Sequence, residues 1–361
     1  PAIVLFLPNN SLFTERFSTV TLQHLRYQDF FNKAQEYTLL TREEALQLMA
    51  IPLHSEIFYQ LLATADCISK QQFGFKAENH FQVGLNIESC PLNCQFCSLT
   101  PTAAVFSEKV EFSLEQIISW AHDAEQHQAD ALYLMTTVTY PWEKLLEIGR
   151  LVSREVSTPL VVNTRDFNHH EGEELLKAGY VGAYHALRLG EGRDTPLSRD
   201  KRIATIKVLN DVGLAWANCV EPVGPEHSAE EIVDLMLLAR DEGAMFSGVM
   251  RRINFPGSPL SRFGMISELE LARLVAISRL VMGNVPKAHC THEPHSASLL
   301  AGANLFFPEV GSSPRDHVTD TAKGRGHDIH ACRKIQGEMN LDPLLASNCF
   351  PQTRTAAAHQ G

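Results

Sequence analysis

From Phe81 onward, short runs rich in Val, Ile, Leu and aromatic residues alternate with longer stretches whose apolar residues recur every three to four positions. The short runs read as strands over 81–88, 130–137, 158–164, 180–187, 213–220, 245–254, 284–289 and 303–307. They are nearly continuous in apolar residues, as strands covered on both faces are. Between them, Ser113 with Gln116, Ser228 with Glu231 and Ser267 with Glu270 mark helix starts, each a capping residue followed three positions later by Glu or Gln. Eight such strand–helix units predict an α/β fold of the (βα)8 TIM-barrel type. Before Phe81 the periodicity is helical over 12–66, with Thr41 and Glu44 as a further capping box. The pattern divides the chain into an N-terminal helical extension (1–75), the barrel (76–340) and a C-terminal tail (341–361). A closing helix is expected over 328–340, the tail from Ser347 is expected to be loose, and the extension is expected to act as a lid.

The first strand runs directly into Cys90-Pro-Leu-Asn-Cys94-Gln-Phe-Cys97, three cysteines spaced C-x3-C-x2-C. In a barrel this loop lies at the C-terminal rim of the strands, where reacting groups gather. A structural zinc site would want a fourth nitrogen or sulfur ligand, and none is near in sequence. A [4Fe-4S] cubane held by three thiolates keeps one iron open for another ligand. The bland alternatives are three reduced structural cysteines or a non-enzymatic iron–sulfur carrier.

This spacing, with the aromatic Phe96 before the third cysteine, resembles the radical S-adenosylmethionine (SAM) superfamily, and the chain beyond it resembles the biotin synthase-like branch. The resemblance rests on Tyr184 to Glu191, Gly224-Pro-Glu226, Pro256-Gly-Ser-Pro-Leu260 and Ala301-Gly-Ala-Asn304, and covers roughly 75–340. It implies that Cys90, Cys94 and Cys97 bind a [4Fe-4S] cluster whose open iron holds SAM, and that reductive cleavage of SAM gives a 5′-deoxyadenosyl radical which takes hydrogen from an unactivated carbon. It further implies cofactor contacts from Phe96, from Thr136 and Thr137 after strand two, Asn163 after strand three, Arg188 and Glu191 after strand four, and Arg202, whose fork suits a carboxylate. A reductant such as flavodoxin or ferredoxin would supply the electron.

The segment Glu309 to Cys332 is similar to the barrel-closing region of two-component lipoyl synthases, which insert sulfur. Cys219, Cys290 and Cys332 are thus candidates for a second, auxiliary cluster, with His289, His292, Arg315 or Arg325 as a fourth ligand. The competing reading of each cysteine is a small buried hydrophobe. With such a cluster the expected reaction is sulfur insertion, lipoyl synthase-like before biotin synthase-like. Without it, a rearrangement or maturase reaction is expected. Biotin synthases place further cluster cysteines on strands two and three, and this chain has none there.

Composition narrows the partners. A net charge of −11 over 361 residues argues against nucleic acid and anionic membranes, so the expected substrate is a small molecule or an acyl group on a carrier protein. Eight cysteines are too sparse for a disulfide scaffold, which fits a reducing cytoplasm. The apolar opening Pro1 to Pro8 lacks a basic flank and does not read as a secretory signal.

Overall fold

The computed structural model describes residues 25–351. Eight strands run parallel around a barrel: β1 (Lys76–Gly84), β2 (Ala131–Met135), β3 (Leu160–Asn163), β4 (Tyr180–Tyr184), β5 (Ala215–Ala217, continuing as Val220–Val223), β6 (Phe246–Arg251), β7 (Ala288–Cys290) and β8 (Leu305–Phe306). Each strand pairs with its sequence neighbours, and β1 pairs with both β2 and β8. The ring closes through β5, whose first part pairs with β4 and whose second pairs with β6. The first strand starts at Lys76, five residues before the apolar run; Lys76, Glu78, Asn79 and His80 carry polar side chains that hide this part of the strand from a hydrophobicity reading.

Helices follow the strands as α4 (Leu114–Gln126), α5 (Trp142–Glu155), α6 (His169–Lys177), α7 (Arg199–Val212), α8 (Ala229–Asp241), α9 (Glu268–Met282) and α10 (Ser296–Leu300). The expected caps at Ser113, Ser228 and Ser267 accept from the backbone N–H three residues on, and at Ser228 the box is reciprocal. Asn168 with Glu171 forms another reciprocal box at the start of α6.

Strand alternation separates two cores. Leu132, Leu134, Leu160, Val162, Trp216 and Val249 face the helices. Tyr133, Val161, Tyr184, Ala217, Phe246, Ala288 and Leu305 fill the lumen.

The N-terminal helices, residues 25–35 with α2 (Arg42–Met49) and α3 (Glu56–Phe73), are not a lid. Ser69 on α3 donates to the Gly302 carbonyl at 2.6 Å, and Gln72 donates to the Pro286 carbonyl at 2.6 Å, just before β7 begins. Arg273 on α9 donates to the Met49 and Ile51 carbonyls at 2.9 and 2.8 Å. The extension therefore braces α9 and the end of the barrel remote from the cysteine loop. Its predicted residues 12–24 lie outside the described ones.

The expected closing helix is α11 (Ile329–Glu338). The tail is not loose as far as it is described. Asp342–Pro343 pairs with Lys76–Ala77, and the next residues turn into the bottom of the lumen. There Ser347 Oγ donates to Glu78 Oε2 at 3.0 Å and Asn348 N to Glu78 Oε1 at 3.2 Å. The Phe350 ring packs against His80, Tyr133 and Phe246 at centroid distances of 5.7, 6.2 and 6.4 Å. A tail rich in small and polar residues looks solvated in sequence, but a barrel lumen needs a plug, and one aromatic residue supplies it. No described helix is long and apolar enough to cross a membrane.

Candidate active site

The cysteine loop leaves β1 at Gly84, where a Cβ would stand 1.9 Å from the Ser312 carbonyl, so only glycine lets the chain after β8 approach this closely. The same partner segment holds the loop further on. Ser98 N donates to the Pro314 carbonyl at 2.9 Å and Ser98 Oγ to the Ser313 carbonyl at 3.2 Å. Gln95 N reaches the Asp194 carbonyl at 2.8 Å, and Cys90 N the Leu99 carbonyl at 2.9 Å. Asn93 sits in the left-handed region at φ 49°, which lets the chain double back between Cys90 and Cys94.

Cys90, Cys94 and Cys97 all line one cavity of about 370 Å³ at the barrel mouth. Burial, together with the neighbouring Cys94 and Cys90, pushes the Cys97 thiol up to about 12, and burial also raises Cys94, whose Sγ lies 3.0 Å from Thr195 Oγ1. Thiols this desolvated ionise only against a cationic centre. A single tetrahedral ion with bonds of about 2.3 Å would draw its sulfurs to about 3.8 Å of one another. Among the described residues, the ligand sets whose atoms all approach within 4.8 Å are Glu78/His80/Cys349, Cys219/Glu221/His292 and Asp194/Glu226/His227. The three loop cysteines are not such a set, so their donors suit a polynuclear cluster better than one ion.

Lumen-facing residues continue two by two along the strands into the cavity wall. Tyr133 is followed by Met135 and Thr137, Val161 by Asn163 and Arg165, Tyr184 by Ala186 and Arg188, Cys219 by Glu221, and Cys290 by His292. Three of the expected cofactor contacts, Thr137, Asn163 and Arg188, arrive this way. Phe96, Thr136, Thr137, Asn163, Arg188 and Arg202 line the cavity. Asn86 fixes Thr137 through paired bonds, Oδ1 accepting from Thr137 N at 3.0 Å and Nδ2 donating to Oγ1 at 2.8 Å. Glu191 departs from expectation. It is not among the lining residues, and its Oε1 accepts from Arg188 N at 3.1 Å, shaping the loop that presents Arg188.

Arg202 does not offer a free fork. Nη1 reaches Asp166 Oδ1 at 3.3 Å and Nη2 donates to the Ala186 carbonyl at 2.7 Å, leaving Nε without a protein partner. Burial works against the Asp166 carboxylate, but His185, 3.1 Å away, and Arg202 outweigh it and hold Asp166 at about 2. Burial, with Arg202 beside it, keeps His185 neutral down to about 4, and burial brings Arg202 to about 10, still charged at neutral pH.

The cavity floor carries a buried chain of polar groups that the sequence reading missed as a unit. Arg315 Nη1 donates to His292 Nδ1 at 3.0 Å, and Tyr184 Oη lies 3.1 Å from His292 Nε2 and 2.7 Å from Glu221 Oε1. Arginine can only donate, so Nδ1 of a neutral His292 is the acceptor and Nε2 carries the proton. Nε2 then donates to Tyr184, and Tyr184 donates to Glu221. Burial and Arg315 hold His292 neutral, and its ring stacks on Phe307 at 4.1 Å with a 6° tilt. Arg188 pairs with Glu221, and Arg315 pairs with Glu309. The two-residue lumen period, extended past each strand end, points to Glu221 and His292 singly, but Arg315 lies on the loop after β8 and follows no such period.

The predicted auxiliary trio does not converge. Cys219 and Cys290 are both buried in the lumen, but Cys332 on α11 is buried in the outer core between helix and sheet. Its place on the apolar face of a helix that packs outside the barrel takes it away from the rim. His289 also points outward, its Nε2 2.9 Å from the Val275 carbonyl on α9, and Arg325 pairs with Glu309. Cys349 on the tail is buried in the lumen.

A parallel eight-stranded barrel with three cysteines converging on its mouth cavity defines the class, a radical SAM enzyme. No family model matches the chain. Its curated relatives include the biotin synthase of Desulforudis audaxviator, 28% identical over 308 residues that cover 82% of this chain and 92% of the relative. Biotin synthase 2 of Corynebacterium diphtheriae is 24% identical over 291 residues, covering 76% and 82%. Among solved structures, methylornithine synthase superposes with a TM-score of 0.73 at 16% identity, covering 87% of this chain and 97% of that one. The FeFe-hydrogenase maturase of Carboxydothermus hydrogenoformans superposes with a TM-score of 0.74 at 15% identity, covering 94% and 85%. Along most of its length the chain is similar to biotin synthases, and it shares the fold of methylornithine synthase and the hydrogenase maturase; a [4Fe-4S] cluster and SAM are the cofactors that go with that likeness and with the three-cysteine loop.

Proposed function

We propose that this enzyme abstracts hydrogen from a small polar substrate and completes a rearrangement or fragmentation of it without inserting sulfur. The observation that carries this reading is the cavity floor: Arg188, Glu221, Tyr184, His292 and Arg315 form a charged surface where an acyl chain would want apolar walls. Cys90, Cys94 and Cys97 would hold the cluster, and Phe96, Thr136, Thr137, Asn163 and Arg202 would surround SAM. The bound pair supplies the 5′-deoxyadenosyl radical. The protein's part is aim and exclusion of water. Asp166 and the Ala186 carbonyl fix the Arg202 guanidinium and leave Nε as its one nitrogen with no protein partner, and Asn86 orients Thr137. Substrate held against the floor lies in a walled cavity, where a reactive centre meets its target before solvent.

The Cys219–Cys290 pair favours a second reading, in which these thiols anchor another cluster and sulfur is inserted. Anaerobic reconstitution separates the two. About four irons per chain with 5′-deoxyadenosine formed from SAM supports one cubane and no sulfur insertion, whereas about eight irons and a sulfur-containing product supports the second reading. A reconstituted chain that binds no SAM would place it with iron–sulfur carriers.

A further inference from the structure

Two buried polar atoms on residues of the cavity floor have no partner in the protein. One is Arg315 Nε, an obligatory donor, and the other is Glu221 Oε2, a carboxylate oxygen. Both residues line the cavity, and they are only 8% and 1% exposed, so neither is a solvated surface charge. Buried polar groups in folded proteins are nearly always matched. An unmatched donor and an unmatched acceptor on one floor mark where a ligand's own groups belong.

Both groups are held rigidly. Glu309 and His292 take the two Nη groups of Arg315, which fixes where its Nε–H points. Glu221 receives the Tyr184 hydroxyl and the Arg188 guanidinium on Oε1, which fixes where Oε2 points. The floor thus displays one fixed positive donor and one fixed negative acceptor. A metal ion among Cys219, Glu221 and His292 fits less well, although their ligand atoms lie within 4.8 Å. His292 Nε2, 4.0 Å from Glu221 Oε2, carries the ring proton, and Arg188 and Arg315 already place two cations there.

We infer that the substrate is a small free amino acid bound as its zwitterion, with its carboxylate on Arg315 Nε–H and its ammonium on Glu221 Oε2. This rests on the small-substrate reading above and narrows it. A simple carboxylic acid would satisfy Arg315 and leave Glu221 unmatched, and a neutral acyl chain would leave both unmatched; buried polar groups without partners are what make such sites reject analogues.

The test uses the reconstituted enzyme with dithionite and a panel of α-, β- and ω-amino acids of both chiralities. Each is paired with its deaminated acid and its amide, and an octanoylated peptide is included. The readout is 5′-deoxyadenosine above the substrate-free rate, with deuterium transfer from labelled compounds. At least one free amino acid should raise the rate by about tenfold or more while its deaminated and amidated forms do not, and Glu221→Gln should abolish that stimulation. Equal stimulation by a deaminated acid or by the octanoylated peptide overturns the inference, as does no stimulation by any amino acid while substrate-free cleavage persists. SAM affinity of Glu221→Gln is measured alongside, and a drop matching the lost stimulation assigns the pair to SAM and also overturns it. Failure to cleave SAM at all would instead remove the radical SAM reading beneath it.

Discussion

Arg202 and Asp166 hold each other at 3.3 Å beneath the cavity wall, and His185 lies 3.1 Å from the same carboxylate oxygen. This cluster sets an acid limit on the fold. Below pH 6.5 the unfolded chain protonates His185, whereas the folded chain refuses the proton until about pH 4, so stability falls with acid through that window. The Asp166 contribution is complete above its ordinary value of 3.8 and is lost as pH falls to about 2. The magnitudes are on the order of 3 and 2 kcal/mol. Denaturant titrations between pH 7 and 4 should therefore show a falling midpoint, and His185→Gln should lessen that slope, the remainder coming from His289 and His292, which burial also lowers. An unchanged slope in the variant would mean another buried group governs acid stability.

Replacing Cys90, Cys94 and Cys97 together by Ala should abolish 5′-deoxyadenosine formation with little change in thermal midpoint, because the three lie on a loop outside both cores. Residual SAM cleavage would refute the cluster assignment.

Tyr184→Phe removes the hydroxyl that joins Glu221 to His292 and leaves both without that partner. The expected loss is about 1 to 3 kcal/mol of stability. If calorimetry finds no loss, the relay is not maintained in solution.

Phe350→Ala opens a hole at the bottom of the lumen beside Tyr133, His80 and Phe246. Large-to-small changes of this kind cost about 3 to 5 kcal/mol. Limited proteolysis should then release the tail from a protein whose mouth still binds SAM. A tail that stays protected would show that the Glu78 contacts suffice to hold it.

The barrel and its rim loop were legible in sequence because doubly covered strands make apolar runs and because three thiols so close together have few uses. Arg188, Thr136, Thr137 and Asn163 could be placed at the cavity from sequence because they follow strand ends directly. Glu191 was misplaced because a loop residue can serve its own backbone, and Cys332 because helix phase, which decides inside from outside, is not visible from a cysteine's sequence position. The Tyr184–Glu221–His292–Arg315 chain joins residues from three strand ends and the loop after β8, and no local pattern records that meeting. His80 and Glu78 went unread for a related reason: polar residues in a first strand argue for solvent unless the plug that covers them is known.

That plug ties the earliest strand of the barrel to the last described residues, with Ser347 bonded to Glu78 across 269 positions. During synthesis the first strand leaves the ribosome long before the segment that satisfies it. Until then Glu78, paired with His80, stands at an open lumen end without its Ser347 and Asn348 donors. The ring of strands closes through pairings between neighbours, whereas sealing the lumen is a docking across 269 positions that local contacts do not accelerate.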